Sequence, residues 1–290
     1  MGLRFALQLV TSVQTSIVFG VFRRIPLLRN TQSTRRLPPS LFYAMTEAPR
    51  AFFEFGSLPF ALPWLSTAPR GDGHPVMVLP GFVTTDTSTA ILRNYLDGLG
   101  YDAYAWELGR NLGPRAIGTE GEKLIARLED IFVETGEKVS LVGWSLGGMM
   151  ARQLARRRPD MVRQVITLGS PIVGDPRATT VWRMYEWATG SRIEDKAVKE
   201  QLAESELPPP CRSTAIFSKS DGVVAWQNCM EPEAPLTDNI EVYGSHCGLG
   251  VNPAVLYAVA DRLALPDGEW TPFDRSGSRS WMYPSAASSH

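Results

Sequence analysis

Apolar positions along this chain follow two rhythms that take turns from residue 75 onward. Short apolar runs, most of them rich in β-branched residues, stand at 75–79 (PVMVL), 102–106 (DAYAW), 138–142 (KVSLV), 164–168 (QVITL), 213–217 (STAIF) and 239–243 (NIEVY). Between them, near 86–98, 115–135, 146–158 and 252–264, apolar residues recur at helical spacing. The first rhythm predicts strands and the second predicts amphipathic helices. Strands that alternate with helices predict a mostly parallel sheet covered by helices on both faces, an α/β architecture. The chain has no internal repeat.

The flanking segments follow neither rhythm. Residues 5–22 (FALQLVTSVQTSIVFGVF) carry no charge and are bracketed by Arg4 and by Arg23-Arg24. Gln8, Thr11, Ser12 and Thr15 fall on one helical side, Phe5, Leu9, Val13 and Ile17 on another. Three readings stay open: an amphipathic helix packed on the protein, the same helix in contact with a membrane surface, and a secretory signal. The last ranks lowest, because no small-x-small cleavage site follows. A cytoplasmic or membrane-associated location therefore ranks ahead of a secreted one.

Residues 30–40 read as a polar linker. The aromatic and proline-rich stretch 41–65 predicts short helices broken at Pro49, Pro59 and Pro63 and covering an apolar surface. The connection from Gly169 to Ser213 runs to about forty residues, where an ordinary crossover needs roughly 2–6 loop residues on each side of its helix. Within it Val181, Met184, Tyr185 and Ala188 share a helical face, read either as a cap over a pocket or as an extra helix on the sheet. From Ser276 the small polar residues predict a flexible tail. The expected organisation is an N-terminal helical extension over 1–70, an α/β domain over 71–273 with an insertion at about 171–212, and a tail over 274–290.

Composition narrows the function classes. Of 290 residues, 29 are Lys or Arg and 30 are Asp or Glu, a formal net charge of −1, with no basic stripe bearing interleaved aromatics, so a nucleic-acid partner is not expected. The three cysteines, Cys211, Cys229 and Cys247, lack the paired short spacings of a zinc site, and no metal or organic cofactor is expected. A Cys229–Cys247 disulfide stays open, with small buried thiols the preferred reading.

The chemistry lies in KVSLVGWSLGG. Gly143-Trp144-Ser145-Leu146-Gly147 sits between a predicted strand and a predicted helix. This is the pattern of a sharp turn that lifts a serine hydroxyl above the carboxyl end of a sheet, at a helix amino end. The Leu146 amide then points to where an oxyanion would form. A serine nucleophile needs a base. His290 is the last residue and His74 precedes the strand at 75–79, at the wrong end of a parallel sheet. His246, in EVYGSHCGLG after the strand at 239–243, is left. Asp221, in FSKSDGVVAW after the strand at 213–217, is the preferred partner for that imidazole, with Asp175 as its rival. Pro80-Gly81-Phe82 turns the chain after the first strand and offers the Phe82 amide as second oxyanion donor.

Together VLPGF, GWSLGG with the helix MMARQLARR, SKSDGVVAW and YGSHCGLGVNP resemble the α/β-hydrolase superfamily, within it the bacterial lipase and esterase branch, over about residues 71–273. Two departures stand out. Pro80-Gly81 replaces the His-Gly usual in such lipases, and Trp144 replaces a commoner histidine, which makes the back of the site more apolar. The resemblance implies a serine hydrolase that cleaves small-molecule or lipid carboxylic esters through an acyl-enzyme. An acyltransferase with the same three residues is the alternative. A membrane-surface or partner-binding protein with a vestigial site is another. Oligomeric state is not legible.

Overall fold

The computed structural model describes residues 39–173 and 206–284. The chain divides into two compact units, Met1–Arg35 and Arg36–His290. The first lies outside the described residues, and with it the apolar segment 5–22. So do most of the expected cap (174–205, including Asp175 and the Val181 stripe) and the terminal 285–290 with His290.

In the second unit, six strands are described: β1 (Pro75–Leu79), β2 (Asp102–Ala105), β3 (Val139–Trp144), β4 (Val162–Leu168), β5 (Arg212–Phe217) and β6 (Thr237–Glu241). They form one sheet in the order β2-β1-β3-β4-β5-β6, parallel at every pairing. The interior strands β1 and β5 are buried at every residue, as a sheet covered on both faces requires. The edge strands β2 and β6 are only partly covered.

Alternate side chains feed two cores. Val76, Val78, Val142, Ile166 and Ile216 face α3 (Ala90–Leu99) and α7 (Pro253–Leu263), while Met77, Leu79, Leu141 and Val165 face α5 (Glu122–Thr135) and α6 (Leu146–Arg157). This is the α/β-hydrolase arrangement of sheet and helices. The loop after β1 leads to β2 on one side, and the loop after β3 leads to β4 on the other. That switch opens a crevice at the carboxyl ends of β1 and β3.

Several expectations change. The helix foreseen over 115–135 is two, α4 (Pro114–Ile117) and α5, because Gly118 and Gly121 between them take φ of 92° and 73°. Strand β6 begins at Thr237 and ends with Glu241, opposite Phe217, where β5, its only neighbour among the described strands, ends. Residues 41–65 do cover apolar surface, with Leu58, Ala61, Trp64 and Leu65 on the core. They are not broken at their prolines, however. After the short α1 (Leu41–Met45), α2 runs from Glu47 to Leu65. Pro49 lies in its first turn, where no intrahelical donor is needed. Pro59 and Pro63 sit on the exposed side, so the carbonyls of Phe55 and Pro59 that they leave unbonded face water.

The tail is also not free as far as Tyr283. That side chain is fully buried, its hydroxyl donates to Ala254 O (2.8 Å), and its ring packs edge-on against Phe273. The three cysteines are unbonded thiols.

Helix α6 is tied to the far strands by one buried ion pair. Arg152 and Glu231, which is buried in the β5–β6 connection, meet there, and Glu231 also accepts from Ser213 Oγ. Removing the Glu231 charge takes this ion pair away from a guanidinium that stays buried. Glu231→Gln is expected to lower unfolding free energy by about 3–5 kcal/mol in urea titration, while Arg152→Met with Glu231→Leu should recover most of the loss.

Candidate active site

The turn after β3 is built by what cannot fit there. A Cβ on Gly143 would stand 2.4 Å from Gly148 Cα, and one on Gly147 would stand 2.5 Å from Leu79 O and 2.7 Å from Pro80 O. Both clashes are with backbone, so neither position accepts a side chain. Between them Ser145 takes φ 53° and ψ −118°, a left-handed conformation costly for any residue with a Cβ. Its amide donates to Leu168 O at 2.8 Å, which pins the turn to β4. The hydroxyl is carried above the carboxyl ends of β3 and β4, half-buried, at the start of α6. Leu146 is the first residue of that helix, so its N–H has no acceptor within it.

The loop after β1 runs alongside. A Cβ on Gly81 would be 3.6 Å from Ser145 Cβ. The Gly81 carbonyl accepts from Thr84 Oγ1 (2.8 Å) and Thr84 N (3.2 Å). A trans peptide points its C=O and N–H in opposite directions, so these bonds also fix the direction of the Phe82 N–H. The next residue, Val83, is β-branched yet has φ 56°. Buried Asn111 holds the strained turn, donating its side-chain amide to Pro80 O (2.8 Å) and accepting Val83 N at its backbone carbonyl (2.8 Å). Nothing in the sequence around Asn111 marked it for this task. Only the positive φ beside the donor does.

His246 and Asp221 meet across the crevice, imidazole Nδ1 to Oδ2 at 2.6 Å, both buried. The other carboxylate oxygen of Asp221 accepts the Val223 and Val224 amides, each at 2.7 Å. A carboxylate so placed only accepts, which puts the proton on Nδ1 and the lone pair on Nε2. Burial alone pushes the His246 pKa down. The charge of Asp221, the hydrogen bond to it and the charge of Glu47 outweigh that and leave it above the ordinary 6.5.

The indole of Trp144 donates to His246 O at 3.1 Å, so the residue before Ser145 grips the histidine loop. Gly169 (φ 57°) ends β4 beneath the pair; a Cβ there would come within 3.1 Å of His246 Nδ1. The Ser145 hydroxyl makes no hydrogen bond to a described residue. Such contacts are often long before substrate binds.

His74 offers a contrast. It bonds Asp72 through Nδ1 and Ser140 Oγ through Nε2 (2.8 Å), the same three residue types in the same order of contact. Here Ser140 lies inside β3, wholly buried, with Gln164 on the same oxygen (3.3 Å). No substrate reaches it and no helix begins there. This histidine is a hydrogen-bonded core residue, held below its ordinary pKa by burial. Among the described residues no cluster of His, Cys, Asp and Glu is suited to a metal ion, and no helix is long and apolar enough to cross a membrane.

Comparison with known proteins agrees with this fold. The family described as alpha/beta hydrolase fold matches residues 135–205. A triacylglycerol lipase of Pseudarthrobacter phenanthrenivorans is 29% identical over 115 residues, covering 37% of this chain and 36% of that protein. A triacylglycerol lipase of Burkholderia plantarii is also 29% identical, covering 37% and 32%. The match therefore spans about a third of these relatives' length. Among solved structures, Aspergillus fumigatus lipase B superposes with a TM-score of 0.51 at 16% identity, over 70% of this chain and 55% of that one. A mature Bacillus licheniformis lipase gives 0.50 at 18%, over 68% and 94%. At such identity these structures speak for the fold alone.

The turn yields a stability test. Gly147→Ala should cost near the top of the roughly 1–3 kcal/mol range of overpacked sites. Gly98→Ala, on α3 where a Cβ would touch nothing, should stabilise by about 0.4–1 kcal/mol in the same urea titration.

Proposed function

Since this chain belongs to the α/β-hydrolase superfamily and is lipase- and esterase-like, we propose that it hydrolyses carboxylic esters through a Ser145 acyl-enzyme. The observation that carries the reading is the 2.6 Å His246–Asp221 bond at the same sheet end as the strained Ser145 turn. In the proposed mechanism, Ser145 Oγ attacks the ester carbonyl carbon while His246 Nε2 takes its proton. The carbonyl oxygen becomes an oxyanion facing the Leu146 and Phe82 amides, each worth about 2.7–4 kcal/mol at the transition state. Asp221 keeps the imidazole oriented and stabilises its charged form. Collapse breaks the C–O bond, and His246 returns the proton to the leaving alcohol. Water, deprotonated by His246, then attacks the acyl-serine and frees the carboxylic acid and Ser145.

The names of the lipase relatives and the apolar Trp144 beside the nucleophile support esters with an apolar acyl or alcohol part.

Against chromogenic esters from acetate to palmitate, the wild type should show activity that Ser145→Ala abolishes. No cleavage of any chain length by the wild type sinks the reading. Asp221→Asn should fall about 10⁴-fold in kcat while remaining folded. The base works only when neutral, so kcat/KM should rise with pH through the His246 pKa. The acid limb of the profile is then expected above the ordinary histidine value of 6.5.

A further inference from the structure

The stretch 41–65 has three charged residues, Glu47, Arg50 and Glu54, and α2 places them on one side at offsets of three and seven. All three reach the loops that carry Asp221 and His246. Glu47 is 7% exposed. Its Oε1 accepts from Gly222 N (2.8 Å) and His246 N (3.1 Å), and its Oε2 from Cys247 N (2.9 Å). One carboxylate thus bridges the residue after Asp221 and the histidine itself.

Arg50 donates to Glu47 Oε1 (2.9 Å) and to Ser220 O (2.8 Å), the residue before Asp221. Glu54 accepts Ser245 N (2.7 Å), the residue before His246, and Asn252 Nδ2 (3.2 Å). The approach is close enough to dictate sequence. A Cβ on Gly222 would lie 2.4 Å from the backbone of Tyr43.

A helix that only covered apolar surface would bury apolar side chains here, since an enclosed carboxylate is costly unless fully bonded. Glu47 is bonded by three amides and a guanidinium, and every partner belongs to α2 or to the two loops.

We propose that Glu47 is a positioning residue, the clamp by which α2 holds the Asp221 and His246 loops in register. The inference rests on the reading of Ser145, Asp221 and His246 as the acyl-transfer machinery. Its second effect is electrostatic. The charged groups around the imidazole are Asp221 from the β5 loop and Glu47 from α2, with Arg50 and Glu54 behind Glu47 and the Cys247 thiol on the histidine's own loop. Glu47 adds negative charge beside an imidazole that must accept a proton.

The test is Glu47→Gln in the full chain, which keeps shape and one acceptor but loses the charge and the second acceptor. The protein has three histidines, so the His246 ring signal in a proton–carbon NMR titration is identified by its loss in His246→Gln. In Glu47→Gln the His246 pKa should fall by roughly one unit, the acid limb of kcat/KM should follow it, and kcat should drop about tenfold with KM within about twofold. A folded Glu47→Gln with unchanged titration and kcat overturns the proposal. The titration needs no substrate. If the wild type cleaves no ester, the hydrolase reading falls alone and the clamp is still decided.

If Glu47→Gln does not fold, hydrogen exchange of the wild type decides. The Gly222, His246 and Cys247 amides should exchange at one shared slow rate, set by a single opening. Rates that differ among them by more than about tenfold overturn the clamp.

Discussion

Three backbones meet where α6 leaves β3, and the rest of the site depends on how closely they approach. The first turn of the helix lies against the carboxyl end of β1 and the last residues of β3, so close that Gly143 and Gly147 have no room for a Cβ. This contact forces the chain to reverse within one residue and puts Ser145 into its left-handed conformation. It also brings the Pro80-Gly81-Phe82 loop so near the same serine that a Cβ on Gly81 would touch it. The Ser145 turn, the helix amino end and the Pro80-Gly81-Phe82 loop are therefore consequences of one packing constraint. The conformational energy stored at Ser145 and Val83 is sustained because the burial of β1, β3 and α6 on either side outweighs it.

The second half of the site is held by polar groups. The loops after β5 and β6 bury Val224, Ala225 and Leu249, and polar groups fix them further. Asp221 accepts from its own turn, Trp144 donates to the histidine carbonyl, and Glu47 of α2 accepts the Gly222 and His246 amides. The Asp221 and Glu47 carboxylates have partners for both oxygens, which is the condition under which burial orders a loop rather than destabilises it. The contrast with His74 shows why residue types alone do not make a site. Its serine sits mid-strand, with no helix amino end and no access.

The strands, their parallel order and the Ser145 turn were legible in the sequence because they are local. A buried parallel strand writes itself as a continuous apolar run, and the glycines of the turn stand two residues to either side of the serine. The pairing of His246 with Asp221 was legible because elimination left one histidine and chain order along such a sheet limits which strand end can supply a carboxylate. Helix α2 was misread, because proline is a break in isolation and tolerable only where its exposed side faces water. The Phe273–Tyr283 contact was missed because a run of small polar residues hides one aromatic that the core can use.

What the sequence determined by itself is thus whatever depends on neighbours within a few residues: periodicity, turn chemistry and the succession of strand and helix. What only the tertiary structure decided are the contacts between distant positions. Glu47 lies 199 residues from His246, and Asn111 lies 31 from Pro80. No periodicity links such pairs. They meet because the sheet order carries the ends of separate strands into one crevice, and a hydrogen bond forms only where folding has brought its two partners within about 3 Å.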